Sequence, residues 1–278
     1  MDLTWLQSLV LGAVSGITEI LPVSAQAHRL LLRKLFGTEA ISELTLLLVH
    51  IGILAAVYLC CQNQILRITR AVKLSRLPKK KRKRPLDAVS LLDFSLFKTM
   101  ALPLIVALLF MSKIVTVENN IMVVAGLLIV NGIILYVPQF FPTGNKDARM
   151  LSRLEGLLIG LGTAASALPG ISGIGTSFSI ASICGVEHTY ALNMSLLLEM
   201  VLLAGLIVMD IMGIVTAGMA GLSFVSVIIS LLAAVVAFGT TILAVRFLRK
   251  MAAEFGLIPF SYYCWVAALF SLMLTMFA

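Results

Sequence analysis

Charge is scarce in this 278-residue sequence: Asp, Glu, Lys and Arg together make up 12% of it, and acids number only 13. Soluble domains carry about 25% charged and about 45–50% apolar residues. Here the apolar share is 60% and the mean hydropathy is +1.06. So much apolar surface cannot be hidden inside so short a chain, which excludes a soluble enzyme. Disorder is excluded as well, because it requires low hydrophobicity. Cysteine is sparse too. Cys60, Cys61, Cys184 and Cys264 lie in apolar stretches without ligand spacing, so they are read as small core residues and not as a disulfide framework or metal site. The N-terminus, Met1-Asp2-Leu3-Thr4-Trp5, has neither a positive region nor a small-residue cleavage site and does not read as a secretory signal. The solvent for this chain is the bilayer.

What is present follows from that. Six segments, about 45–61, 99–117, 121–138, 189–215, 222–245 and 257–277, are long and apolar enough to span. Two further helical stretches, 3–36 and 154–185, are interrupted at Leu21-Pro22-Val23-Ser24 and at Leu168-Pro169-Gly170-Ile171-Ser172-Gly173. Proline removes a donor and clashes with the preceding turn, and glycine permits the reversal. Each arm is too short to cross comfortably, so both stretches read as re-entrant helical hairpins, whose irregular backbone must be buried in protein or line a cavity. The expectation is an all-α integral membrane domain over 1–278. Repeat one covers about 1–138 and repeat two about 154–278, each a hairpin followed by three spans. Three is odd, so the halves form an inverted repeat, an architecture that builds ligand sites where broken helices meet.

The net charge of +8 is concentrated in one place. Residues 62–98 hold 11 of the 21 Lys and Arg with only Asp87 and Asp93 against them, so this segment carries +9 and the remainder −1. A basic loop beside apolar spans marks the cytoplasmic side. The run 79–84 is a candidate contact for anionic lipids, and no nucleic-acid partner is expected. With 62–98 inside, 139–153 and 246–256 are also inside and both termini face outward. Arg29, Arg33 and Lys34 then lie on the outer side against the charge rule, partly offset by Asp2, Glu39 and Glu43.

The first interruption gathers chemistry. Glu19, Ser24, Gln26 and His28 place a carboxylate, a hydroxyl, an amide and an imidazole within ten residues of an otherwise apolar stretch. Ser24 and His28 are four apart and share a helix face, and the arm after Pro22 begins with unpaired N–H groups that suit an anion. The alternatives are an ordinary cap at Ser24, a packed histidine, and a glutamate paired with a base. The second interruption offers Ser166, Ser172, Thr176 and Ser177 among Gly170, Gly173 and Gly175, which suits either close approach to an anion or tight helix packing. Glu199 lies mid-span, as a core carboxyl, a partner for a distant base or part of a proton path. Asp210 lies nearer a span end, and His50 and Lys113 read as packing or snorkelling residues.

Gly16-Ile17-Thr18-Glu19-Ile20-Leu21-Pro22-Val23-Ser24 followed by His28 resembles the first signature of the undecaprenyl-diphosphate phosphatase (bacitracin-resistance-type) family. Pro169-Gly170-Ile171-Ser172 with Gly175-Thr176 resembles its second, and Phe260, Tyr262 and Tyr263 resemble its aromatic final helix. The resemblance implies a multi-pass protein of the bacterial inner (plasma) membrane that hydrolyses polyprenyl (undecaprenyl) diphosphate to the monophosphate in cell-wall lipid-carrier recycling. It implies Glu19, Ser24 and His28 as catalytic residues, Gln26, Arg29, Gly170, Ser172, Gly173 and Thr176 as substrate-binding residues, and a divalent cation, Mg2+ or Ca2+, with Glu19 as ligand. The partners expected are a polyprenyl phosphate or diphosphate lipid and a second copy in a homodimer. Three positions depart from the pattern. Ser15 stands in place of the family's first glutamate, Ala25 in place of its second serine, and Gly173, followed by Ile174, in place of its arginine. Arg29 is the nearby cation that could substitute, although it sits about 100° around the helix from His28. The alternative reading is a hydrolysis-deficient homologue that binds or translocates polyprenyl phosphate.

Overall fold

The computed structural model describes residues 4–38, 40–78, 85–114, 120–217 and 223–277. Ten α-helices account for nearly all of their regular structure, with two 3-10 turns and a single bridge between Lys146 and Val186. In chain order they are α1 Trp5–Thr18, α2 Ala25–Phe36, α3 Glu43–Ser75, α4 Ala88–Ile114 and α5 Ile121–Tyr136, then α6 Arg153–Ala164, α7 Gly173–Ile183, α8 His188–Ala217, α9 Phe224–Glu254 and α10 Ile258–Phe277. Six are long and apolar enough to cross a membrane, namely Glu43–Ser75, Ala88–Phe110, Ile121–Phe140, His188–Thr216, Phe224–Glu254 and Ile258–Thr275. This is an all-helical, multi-pass membrane protein.

The four remaining helices are 11 to 14 residues long, roughly 16–21 Å at 1.5 Å per residue and short of a hydrocarbon core about 30 Å thick. They start and stop where local chemistry dictates. Capping boxes at Thr4–Gln7 and Ser152–Glu155 open α1 and α6, and Gly37, at φ +66°, closes α2. Pro22 and Pro169 fall in the two interruptions, between α1 and α2 and between α6 and α7.

The segment 62–98 is not one long loop. Helix α3 runs on to Ser75 and α4 begins at Ala88, so the connection is confined to 76–87, bracketed by Pro78 and Pro85. Residues 62–75 lack proline and glycine and keep apolar residues at helical spacing (Ile65, Ile68, Ala71, Val72), so nothing stops the helix where its apolar character ends. Two charges counted with the loop are structural. Arg67 donates to Asp93 Oδ2 at 2.7 Å and the Tyr190 hydroxyl donates to Asp93 Oδ1 at 2.9 Å, tying α3, α4 and α8 around a fully buried carboxylate. The run 79–84 and the Lys113 side chain fall outside the described residues.

Packing joins the two parts of the chain. Helix α1 lies on α9, α6 lies on α4, α3 packs on α8 and α9, α8 also packs on α4, and α5 pairs with α10. Small residues set the closest crossings. A Cβ at Gly12 would run into the Ala233 carbonyl, one at Gly16 into Thr240 Oγ1 and the Ala237 backbone, and one at Gly160 into the Met100 carbonyl. Without a hydrophobic force between helices in lipid, such backbone contact is what holds them together.

Gly12→Ala should therefore cost roughly 1–3 kcal/mol, the usual penalty for overpacking. Gly126→Ala, where nothing lies within 4 Å of the added carbon, should be neutral or slightly stabilising. Thermal unfolding midpoints of the two purified variants in one detergent check this.

Candidate functional site

The site grows out of the two interruptions. Between α1 and α2 the backbone turns so sharply that Ser24 takes φ +66°, the sole positive φ among the described non-glycine residues. That conformation costs about 1–3 kcal/mol and persists only where the surroundings enforce it. The enforcement comes from the other interruption: the Gly170 N–H donates to Ser24 Oγ at 3.0 Å, and Gly170 itself has φ +118°, which only glycine adopts readily. Asn131 of α5 bridges both turns. Its Nδ2 donates to the Pro22 carbonyl at 3.0 Å and its Oδ1 accepts from the Ser172 N–H at 2.9 Å. Cys264 of α10 sits beside it, with Sγ 3.2 Å from Asn131 Nδ2 and 3.7 Å from the Pro22 carbonyl. Ser172 then caps α7, its Oγ accepting from the Gly175 N–H at 3.2 Å.

These stitched turns wall a small cavity. Glu19, Ser24, Gln26 and Arg29 line it from the first interruption and the start of α2, and Ser166, Ser172 and Gly173 from the second. Helix α8 contributes Glu199, which is 2% exposed. Arg29 Nη1 donates to Glu19 Oε2 at 2.9 Å, and both side chains are largely buried. Arg29 is thus ion-paired with Glu19, while Glu199 lines the same cavity from α8. Ser166 Oγ and Gln26 Oε1 are buried without a hydrogen-bond partner; the hydroxyl can donate to a bound anion or water, whereas the amide oxygen, an acceptor, needs a donor such as water. Gly173 has little room: a Cβ there would meet Ser166 Cβ and the Thr163 carbonyl, each at 3.2 Å.

A second, larger space shares Gln26, Arg29 and Leu206 with the first. His50, Asp210, Arg33 and Glu43 line it. His50 and Asp210 are not the isolated packing residues that their sequence context suggests. They are 2% and 6% exposed, and His50 Nδ1 is 2.7 Å from Asp210 Oδ2.

The sequence-derived site residues separate in the structure. Glu19, Ser24, Gln26, Arg29, Ser172 and Gly173 share the cavity wall, and Gly170 provides the backbone stitch. Thr176 is turned onto its own helix, donating to the Ser172 carbonyl at 2.7 Å. His28 does not share the cavity wall with Ser24. Its Nδ1 bonds the Ser24 carbonyl at 2.8 Å, and its Nε2 meets the Tyr263 hydroxyl of α10 at 2.8 Å, with the rings stacked at 5.7 Å. Asn131 went unread in the sequence. The signal was there, because it is the lone amide in the otherwise apolar α5.

Comparison with known proteins gives consistent matches over nearly the whole chain. The family model described as "Bacitracin resistance protein BacA" matches residues 8–270. The chain is 29% identical over 276 residues to an undecaprenyl-diphosphatase of Methanobrevibacter smithii, covering 96% of each chain. It is 28% identical over 270 residues to an undecaprenyl-diphosphatase of Carboxydothermus hydrogenoformans, again with 96% of each covered. Undecaprenyl-diphosphatase 1 of Shouchella clausii is 24% identical, with 95% of this chain and 94% of the relative covered.

Asn131→Leu keeps the volume but strands the Ser172 N–H and leaves the Pro22 carbonyl with only the weak Cys264 thiol donor. At about 1–3 kcal/mol for each buried unsatisfied group, the variant should lose roughly 2–5 kcal/mol. Its thermal midpoint should fall well below that of wild type, and an unchanged midpoint would refute the bridging role.

Proposed function

We propose a function from one premise: the chain belongs to the bacitracin resistance protein BacA family. It is a polyprenyl (undecaprenyl) diphosphate phosphatase that hydrolyses the terminal anhydride and leaves the lipid monophosphate for the carrier cycle. The observation that carries this reading is the Glu19–Arg29 pair in a cavity between two joined helix breaks, which also holds the Ser166 hydroxyl, without a partner of its own.

The chemistry divides among the chain's own residues. Arg29 spends Nη1 on Glu19 and His50, while Nε and Nη2 bond to no other described residue. That leaves one edge of the fork for two phosphate oxygens, the bidentate grip guanidinium favours. Family members have an arginine in the second break. Here Gly173 stands there and the cation comes instead from α2. The first N–H groups of α7, at the positive end of its dipole, add donors for the same charge, with Ser166 and Gln26 beside them. Ser24 supplies the attacking hydroxyl. As its oxygen bonds the terminal phosphorus, the anhydride bond breaks toward the lipid monophosphate, the hydroxyl proton passes to Glu19, and water then releases phosphate from Ser24. His28, with both ring nitrogens engaged, holds the Ser24 backbone from behind.

Glu19 and Glu199 are the carboxylates that would hold Mg2+ or Ca2+ together with diphosphate oxygens, since Mg2+ is commonly held by one or two carboxylates plus substrate phosphates. Among the described residues no three His, Cys, Asp or Glu gather as a cage. Bound there, the ion would neutralise charge on the phosphoryl oxygens.

The same proposal includes the membrane arrangement. The α1–α2 and α6–α7 pairs are re-entrant, and the two halves form an inverted repeat. In support, α1 lies on α9 as α6 lies on α4, and α3 meets α9 as α8 meets α4. The basic segment 62–98 is cytoplasmic, with 79–84 against anionic lipid, and both termini are outside. The second space, beside the N-terminus of α3 and the later part of α8, then lies toward the outer side.

Purified protein should release phosphate from farnesyl diphosphate, with EDTA abolishing and Mg2+ or Ca2+ restoring turnover. Arg29→Ala should reduce kcat by about 10³-fold or more, the low end for a lost phosphoryl-clamping arginine, and Glu19→Gln should be comparably impaired. Wild type that binds the lipid yet releases no phosphate with any divalent cation would overturn the phosphatase reading.

A further inference from the structure

An arginine can position a phosphoryl group only if it is itself held, and Arg29 sits on a long flexible side chain between two cavities. Glu19 restrains it from one side. On the other side, three buried groups from three helices form a line: Arg29 Nη1 of α2 lies 3.4 Å from His50 Nε2 of α3, and His50 Nδ1 lies 2.7 Å from Asp210 Oδ2 of α8. Neither His50 nor Asp210 makes another side-chain hydrogen bond among the described residues. Ionisable groups inside a membrane protein are costly, and such a pair is not kept for packing, which leucine would serve better.

The chemistry of the line fixes its direction. Arginine has only donors, so the contact at Nε2 requires a lone pair there. Nδ1 then carries the hydrogen and donates to the Asp210 carboxylate. A carboxylate behind a histidine selects its tautomer and ring orientation, as it does for metal-bound and catalytic histidines. We propose that His50 and Asp210 are positioning residues for Arg29: Asp210 sets the tautomer of His50, and His50 Nε2 accepts from Nη1, so that the opposite edge of the guanidinium stays presented to the phosphate. This rests on Arg29 being the phosphate-gripping group of the proposed phosphatase and adds to it the part of the protein that aims it.

The test uses side chains that each keep half of the line. In His50→Gln the amide oxygen reaches about where Nε2 was and can still accept from Arg29. In His50→Asn the amide reaches about where Nδ1 was, keeping Asp210 paired but releasing Arg29. Full-length protein in micelles is assayed with farnesyl diphosphate, each variant in the wild-type and the Arg29→Ala background. Mispositioning a binding group by about an ångström costs on the order of 10²-fold. His50→Asn should therefore lose 10- to 100-fold in kcat/KM, mainly in kcat, while His50→Gln stays within about threefold of wild type. In the Arg29→Ala background both should become silent, the non-additivity expected of residues acting through one another.

Equal losses for Asn and Gln, or losses that persist without Arg29, would mean a structural role and overturn the proposal. Should His50→Asn fail to fold, Asp210→Leu read against Arg29→Ala decides in the same way. If wild type releases no phosphate, the phosphatase reading has failed on its own. The same set is then measured by equilibrium dialysis with farnesyl monophosphate, where the Asn-weak, Gln-strong, Arg29-dependent pattern must still appear.

Discussion

Unpaired backbone polar groups cannot be left in hydrocarbon, and most of this structure follows from how two helix breaks meet that demand. Each break exposes carbonyls and N–H groups that need partners once the turn is buried. Here each supplies the other: the Gly170 N–H finds Ser24, and Asn131 takes the Pro22 carbonyl with one end of its amide and the Ser172 N–H with the other. The breaks must therefore touch, and the short helices that carry them are pulled against α4 and α9 closely enough that glycine is required at the crossings. A cavity with polar walls is the by-product of that mutual satisfaction, which is why the candidate site sits where the fold is most constrained.

The charged residues obey a related rule. A buried ion without a partner costs several kcal/mol, and the described intramembrane charges come in sets. Arg67 is with Asp93 and Tyr190 near one end, Glu19 with Arg29 at the centre, and His50 with Asp210 beyond it. Of these, the central set faces the cavity that holds the partnerless Ser166 hydroxyl, with Gln26 lining both this cavity and the neighbouring space. That difference separates the group suited to handling a phosphate from the one that clamps helices together.

Much of this was legible in the chain. Pro22 and Pro169 mark both interruptions because proline acts on its own backbone wherever it falls. The six spans are visible because hydropathy is additive along a segment. The extension of α3 through Arg67 and Arg70 was not, since a helix leaving the membrane keeps its hydrogen bonds while losing the apolar signal used to find it. At the site, Glu19, Ser24 and Arg29 stood out as polar residues in an apolar setting. The direction of His28 did not, because it depends on Tyr263 more than two hundred residues away. His50 and Asp210 each look unremarkable alone and acquire meaning only as neighbours, from helices that are distant in sequence.

Two glutamates face the same cavity as Arg29, and they set its electrical balance. With Glu19 and Glu199 opposite a single guanidinium, the chamber has no surplus positive charge to offer a dianionic headgroup. On the proposed reading, a diphosphate headgroup would enter in the company of its own countercharge, a proton or a cation. The chamber would then behave as a receptor for neutralised salts.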